Sequence, residues 1–398
     1  MGALKYWIWL TAASNLGPVG INALLDEFGS PENIYFADEG SIAAAAELNA
    51  TAKTELADKS FDRAEIILEN CETAGIGIIT IQDADYPDRL KNIHAPPAVL
   101  YYKGNIPILD EEAAIAVVGS RKPTPYGIHA AREISYRLAQ SGALVVSGMA
   151  KGIDGIAHTA ALMAGAGTVA ILGSGVDVIY PAENRGLYHD IISKGVVLSE
   201  YPPQTPAIGS NFPNRNRIIS GISLGTLVIE AGFRSGSLIT ARYAREQGRD
   251  VFAAPGNIDV PESEGSNKLI KEGAALVTKA EDILIEYAAL FPSKIRLNHL
   301  PQPPPPPLPA AGKRRRIKEG PAPNGKKKAF DLTALMNNRP EIQQKLILSV
   351  SGQARQIDDI LEFTGISAQK ALPELTMLEI DGVIRQLPGK YFSLVTDE

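Results

Sequence analysis

Ala114-Ile115-Ala116-Val117-Val118-Gly119-Ser120-Arg121, continued by Thr124-Pro125-Tyr126-Gly127 and a helical stretch from Ile128 to Gln140, decides the fold. Five apolar residues in a row, with no polar alternation, describe a strand buried on both faces. The turn into a helix follows at once, and such a junction points backbone N–H groups at whatever lies beyond the strand end. The same texture extends from 76 to 291. Strands are expected at Ile76 to Ile81, Ala143 to Ser147, Thr168 to Leu172, Val196 to Ser199, Thr226 to Ile229, Asp250 to Ala254 and Ala275 to Val277. Helical stretches such as Ile156 to Ala164, Leu187 to Ser193 and Leu238 to Gln247 fit between most of them. Apolar strands alternating with helices predict an α/β domain, a Rossmann-like doubly wound parallel sheet.

Three further segments flank it. Residues 1–75 read as a small helical domain of the SAM or helix-hairpin-helix type: Leu4 to Ala13 and Ile21 to Phe28 carry helical apolar spacing around a turn at Leu16-Gly17-Pro18-Val19-Gly20. Residues 292–328 read as a disordered linker. Seven prolines fall between Pro301 and Pro309, and two basic clusters follow, Lys313-Arg314-Arg315-Arg316 and Lys326-Lys327-Lys328. Residues 329–398 predict a winged-helix domain, with helices at Glu341 to Val350, Ile357 to Phe363 and Ser367 to Leu378 and strands at Val383 to Leu387 and Tyr391 to Leu394. Its third helix carries Glu374 and Glu379 against Lys370, and Pro373 should kink it or break its hydrogen-bonded row, so a protein-facing or autoregulatory role competes with DNA reading.

Composition narrows the class. With 45% hydrophobic residues and no apolar run near the ~18 needed to span a bilayer, a membrane helix is not expected. No leader pattern opens the chain, and Cys71 is the single cysteine, so a reducing, cytoplasmic setting is expected. The net charge of −6 is an average. From Ser293 to Lys328 ten basic residues face one acid, Glu319, giving +9 there and −15 elsewhere. Such a basic cord either keeps a spacer solvated or holds nucleic acid.

Binding candidates sit at strand ends. Gly119, Ser120 and Arg121 form the first, a turn with a planar, bidentate phosphate donor. Lys151 and Gly152, within Ser147-Gly148-Met149-Ala150-Lys151-Gly152-Ile153-Asp154, repeat the device after the next strand. Asn211-Phe212-Pro213-Asn214-Arg215-Asn216-Arg217 reads as a loop that mixes what holds single strands: Phe212 to stack on a base, Arg215 and Arg217 to track phosphates, Asn214 and Asn216 to hydrogen-bond. The plain alternative is a buried Phe212 with both arginines in structural salt bridges. Asp154 and His158 stand four apart, but no third ligand has metal spacing, so Asp154 is expected to cap a helix and His158 to pack nearby. Gly173-Ser174-Gly175 lacks the third glycine of a dinucleotide turn, having Val178 there, and no nucleotide-hydrolase phosphate loop occurs, so no cofactor is expected.

Taken in order, these motifs resemble the DprA/Smf family. They are Tyr86-Pro87-Asp88-Arg89-Leu90, Pro96 to Gly104, Gly119-Ser120-Arg121, Ser147 to Asp154 with Ala157-His158, Phe212 to Gly221, Ser235 to Ala241, and Val251 to Gly256. The resemblance covers about 76 to 280. It implies a non-catalytic protein that coats incoming single-stranded DNA, dimerises through its Rossmann-like domain and hands the strand to the RecA recombinase in natural transformation. It also implies a phosphate pocket at Gly119, Ser120 and Arg121, extended by Asn211 to Arg217. Where some relatives carry a DNA-contacting lysine after Tyr180-Pro181, this chain has Ala182, and Lys151 or Arg185 is the candidate replacement. The competing class is a phosphoribohydrolase-like enzyme on the same fold. Gly225-Thr226 and Glu230 are similar to its Pro-Gly-Gly-x-Gly-Thr-x-x-Glu motif, but the Pro-Gly-Gly is absent and the glutamate comes one residue late.

Overall fold

The computed structural model describes residues 2–13, 15–45, 48–297, 339–350, 355–387 and 391–394. The expected Pro-rich basic stretch from 298 to 328 lies outside them. The chain divides into two compact units, residues 1–305 and 306–398.

Six helices open the first unit: α1 (Leu4–Ala12), α2 (Gly17–Phe28), α3 (Pro31–Phe36), α4 (Glu39–Ala45), α5 (Ala50–Ala57) and α6 (Asp62–Ala74). Their core is continuous with that of the sheet. Trp7, Leu10, Leu24, Ile34 and Leu56 share one apolar cluster with Tyr101, Ala170, Leu172 and Val197 of the sheet, so the helical segment is a covering layer on one sheet face.

The sheet then alternates with helices: β1 (Gly77–Thr80), α7 (Asp88–Lys91), β2 (Val99–Gly104), β3 (Ala114–Val118), α8 (Pro125–Gln140), β4 (Leu144–Ser147), α9 (Ile153–Met163), β5 (Thr168–Ile171), α10 (Arg185–Lys194), β6 (Val196–Ser199), α11 (Asn211–Ile222), β7 (Gly225–Val228), α12 (Ser237–Glu246), β8 (Asp250–Ala253), α13 (Glu264–Lys271), β9 (Ala275–Leu276) and α14 (Glu281–Tyr287). Its order is β1-β2-β6-β5-β4-β3-β7-β8-β9. From β6 to β9 neighbours run parallel. β2 runs antiparallel to both β6 and β1. Strand β3 shows why these runs are uninterrupted by polar residues. Ala114, Ala116 and Val118 pack with Ile218, Ile219 and Ile222 of α11 on one face, while Ile115 and Val117 pack with Ile134, Leu138 and Ile153 of α8 and α9 on the other. Both sides of the strand are interior, so both need apolar residues.

Three expectations change. Val99–Gly104, absent from the predicted strands, is a fully integrated strand; no helix connects it to a parallel neighbour, so the alternating pattern did not point to it. Asn211 to Arg217 is the start of helix α11 and not a loop. Pro213 falls in its first turn, where its missing N–H costs nothing, and burial of Ile218, Ile219 and Ile222 outweighs the poor helix propensity of asparagine. The sheet unit also continues past 291: Ile295 is buried, Lys294 pairs with Glu112, and the Arg296 amide donates to the Ser141 carbonyl. The expected linker therefore cannot start at 292.

The second unit is a winged helix with α15 (Glu341–Ser349), β10 (Arg355–Gln356), α16 (Ile357–Thr364), α17 (Ala368–Ile380), β11 (Ile384–Leu387) and β12 (Tyr391–Leu394). β12 pairs with both β10 and β11. Leu346, Ile360, Leu375, Leu378 and Phe392 form its core. Helix α17 runs through Pro373 to Ile380, with Leu375 and Leu378 buried beyond the proline; packing carries it past the lost hydrogen bond.

Candidate nucleic-acid interface

From β3 the chain proceeds to β4, β5 and β6 on one side, then returns to β7 on the other. The carboxyl ends of β3 and β7 therefore flank the switch point of the sheet, where ligands bind in open α/β folds. A cleft of about 810 Å³ opens there. Its lining comes from the turn after β3, from the first turns of α11, and from the loop Gly232–Ser237 after β7.

Glu230 organises the turn. This carboxylate, 1% exposed at the end of β7, accepts from the Thr124 amide at 2.8 Å and the Thr124 hydroxyl at 2.6 Å, while its backbone oxygen accepts from the Ser120 amide at 2.7 Å. Thr124 in turn caps α8 by accepting from the Gly127 amide at 3.2 Å. A Cβ on Gly127 would stand 2.4 Å from Glu230 Oε2, so this glycine makes room for the carboxylate. A negative charge at a helix N-terminus is favourably placed. The amides of Ser120 and Thr124 are thus engaged inside the protein, and the turn offers less free backbone than the sequence suggested. Glu230 faces the start of α8 and is not part of the cleft lining.

Gly152 has a structural task as well. Its φ is +79°, and a Cβ would stand 2.3 Å from the Ser120 carbonyl, so only glycine lets the β4 turn press against the β3 turn. The Ser120 carbonyl also accepts from the Ile153 amide at 3.1 Å. Together these contacts fix the backbone that carries Arg121, whose side chain is exposed.

The predicted binding residues do not all meet in one place. Gly119, Ser120, Arg121, Phe212, Arg215 and Asn216 line the cleft together. The Arg121 guanidinium lies 5.5 Å from the Phe212 ring centroid, a cation over an aromatic face. Tyr180 flanks the same ring with centroids 5.5 Å apart. Lys151 and Gly152 lie outside this lining. Gly152 lines a second depression of about 470 Å³ that shares Arg121 and includes Arg132, Glu183 and Asn184. At its edge Lys151 pairs with Glu183 at 2.5 Å, one residue from Ala182. Asn214 is exposed on α11, and it too is not among the cleft residues.

Arg215 and Arg217 require correction as phosphate contacts. Arg215 is 4% exposed, and its Nη1 donates to the carbonyls of Gly148, at 2.8 Å, and Ile171. A Cβ on Gly148 would collide with this guanidinium at 2.5 Å. Burial pulls its pKa down to about 10 while the Asp154 carboxylate opposes that shift, so it is cationic at neutral pH and lends the cleft floor a fixed positive charge. Arg217 is 6% exposed and pairs at 2.5 Å with Glu200 on the far side of α11. A helix repeat explains this. Residues at 215 and 217 on a helix point in different directions, whereas a loop would have left both free.

Asp154 is buried and accepts from the amides of Gly148, at 3.2 Å, and Ala150, at 3.4 Å; it closes the β4 turn and does not cap α9 from the N-cap position, which Gly152 occupies. Burial pushes its carboxyl up and Arg215 pulls it down. His158 is fully buried, and its Nδ1 lies 2.8 Å from the Thr168 hydroxyl, which donates to the Val145 carbonyl. Burial, then Arg215, holds the imidazole down to about 3, a neutral core histidine.

Sequence reading missed the loop after β7. Phe233, Arg234, Ser235 and Gly236 all line the cleft. The signal was present: an arginine between Gly232 and Gly236, immediately after Thr226 to Ile229, is the same strand-end device as Gly119-Ser120-Arg121.

The sequence profile of the family described as DNA recombination-mediator protein A matches residues 77–288, and that of the DprA winged helix domain matches 333–390. Protein Smf of Synechocystis is 33% identical over 404 residues, covering 96% of this chain and 97% of its own. The DNA processing protein DprA of Bacillus subtilis is 40% identical over 237 residues, 60% of this chain and 80% of its own. Among solved structures, the X-ray structure of DNA processing protein A from Streptococcus pneumoniae matches with a TM-score of 0.63 at 37% identity, covering 71% of this chain and 97% of that one.

Proposed function

Given that the chain belongs to the DNA recombination-mediator protein A family, we propose that it is a non-catalytic single-stranded-DNA-binding protein that protects incoming DNA and loads the RecA recombinase onto it in natural transformation and recombination. Relatives named as DNA processing proteins support the processing role. The observation that carries the reading is the cleft at the switch point, where the exposed Arg121 guanidinium stands over the Phe212 ring above the buried charge of Arg215. A phosphate meets the guanidinium and the neighbouring base meets the ring, which is what a flexible single strand offers and a stacked duplex does not. Arg185, or Lys151 once phosphate replaces its Glu183 partner, supplies the cation that the missing lysine would have brought. The basic residues between 313 and 328 add positive charge that attracts phosphate. A second copy of the chain completes the binding unit as a homodimer through the Rossmann-like domain.

The phosphoribohydrolase alternative needs a glutamate facing the ligand. Glu230 is committed to Thr124 and the start of α8, which favours the binder. Titrating labelled single- and double-stranded oligonucleotides of one sequence against the full chain tests the reading. Preference for the single strand supports it, and equal or no binding overturns it.

A further inference from the structure

The loop after β7 places two side chains in the cleft that the reading above does not use. Phe233 is 61% exposed, and Lys268 Nζ lies 5.2 Å from its ring centroid. Arg234, next to it, is exposed and also lines the cleft. A single exposed aromatic is ordinary. This one repeats, across the cleft, the ring-and-cation arrangement of Phe212 with Arg121.

The sheet order separates the two rings. Phe212 packs on the turn after β5, where a Cβ on Gly173 would touch its Cδ1 at 2.9 Å. Phe233 follows β7 and meets Lys268 of α13, which packs beside β8. Strands β4, β3 and β7 lie between β5 and β8, and the Gly119 to Arg121 turn rises from the middle one. Glu262 and Glu264 line the same cleft, and they fall on the α13 side. Two carboxylates there disfavour a phosphate but not the uncharged face of a base, so a phosphate on this side needs the Arg234 cation.

We propose that Phe233 is a second base-stacking residue and Arg234 a second phosphate contact, so that one strand crosses the cleft from the β5 side to the β8 side with a base on each ring. This rests on the single-stranded-DNA reading and adds a path to it. Stacking on both rings is sequence-tolerant, because every base has a π-face.

The test is fluorescence anisotropy with a labelled mixed-sequence single-stranded oligonucleotide, using the full-length parent and the variants Phe212→Ala, Phe233→Ala, Phe233→Trp and Arg234→Gln. Because Phe233 is exposed, its variants should melt as the parent does, which circular dichroism checks. Phe233→Ala should weaken binding roughly fivefold to a hundredfold, a loss that persists as salt rises, and Phe233→Trp should retain parental affinity. Arg234→Gln should lower the slope of log affinity against log salt by about one. Loss with Phe212→Ala but none with Phe233→Ala would overturn this inference and leave the DNA reading standing. No binding by the parent would overturn the reading itself. Unchanged affinity with a lower sedimentation mass for Phe233→Ala would assign the ring to contact between copies and overturn the inference.

Discussion

Replacing Arg217 with alanine should unfold the first unit more easily and leave DNA binding alone. The side chains of Arg217 and Glu200 are only 7% and 13% exposed. Removing the guanidinium strands a buried carboxylate, a change that costs about 3–5 kcal/mol. In a unit of this size each kcal/mol moves the melting temperature by about 2 °C, so Arg217→Ala should melt roughly 6–10 °C below the parent. The intact pair contributes far less than that figure. Nη1 of Arg217 has no hydrogen-bond partner among the described residues, so part of its desolvation is uncompensated. The double variant Arg217→Met, Glu200→Gln should therefore recover much of the loss, since neither charge is then left buried alone. Thermal unfolding by circular dichroism measures the first effect, and oligonucleotide titration across a salt series, at a temperature where every variant is folded, measures the second. The expected salt slope equals that of the parent. A slope lowered by about one, with an unchanged melting temperature, would show that Arg217 meets phosphate and would refute its placement behind α11.

Phe212→Ala should cost about 1–3 kcal/mol of single-strand affinity at every salt concentration, with Phe212→Trp retaining it; a sharp drop in melting temperature with intact affinity would make the ring core and not contact. His158 has a folded pKa of about 3 against an unfolded value near 6.5, so the unfolded chain takes up the proton first. The stability its burial provides is present above about pH 6.5 and is lost as pH falls towards 3, on the order of 4–5 kcal/mol across that window. Unfolding of His158→Asn should show a flatter acid limb, and an identical limb would contradict the assignment. Glu230→Ala should lower stability by about 1–3 kcal/mol and single-strand affinity with it, because Thr124 and the β3 turn lose their anchor. Release of free base from a nucleoside monophosphate by the parent, abolished in this variant without loss of stability, would instead establish the enzyme.

The central sheet was legible because its strands are buried on both faces, so Ala114 to Val118 and its parallel neighbours announce themselves as apolar runs. Strand β2 was not, since an antiparallel partner brings no crossover helix to reveal it. Arg121 was legible as an exposed cleft residue because strand ends at a switch point face solvent by construction. Arg215 and Arg217 were not, because an asparagine- and proline-rich stretch reads as a loop, and only the packing of Ile218, Ile219 and Ile222 winds it into a helix that buries both guanidinium groups. Glycine motifs told where the chain turns but not what the turn serves. Gly152, expected at the ligand, instead seats one turn on another.

The measurement that bears most directly on the whole account is single-strand affinity of Arg121→Glu. Arg121 is exposed, lines the cleft, and is shared with the neighbouring depression, so its reversal should not disturb the fold. With circular dichroism and melting unchanged, affinity should fall about tenfold or more at low salt, with a shallower dependence of log affinity on log salt. Affinity and slope matching those of the parent, in a variant that is fully folded, would mean that the strand does not enter this cleft.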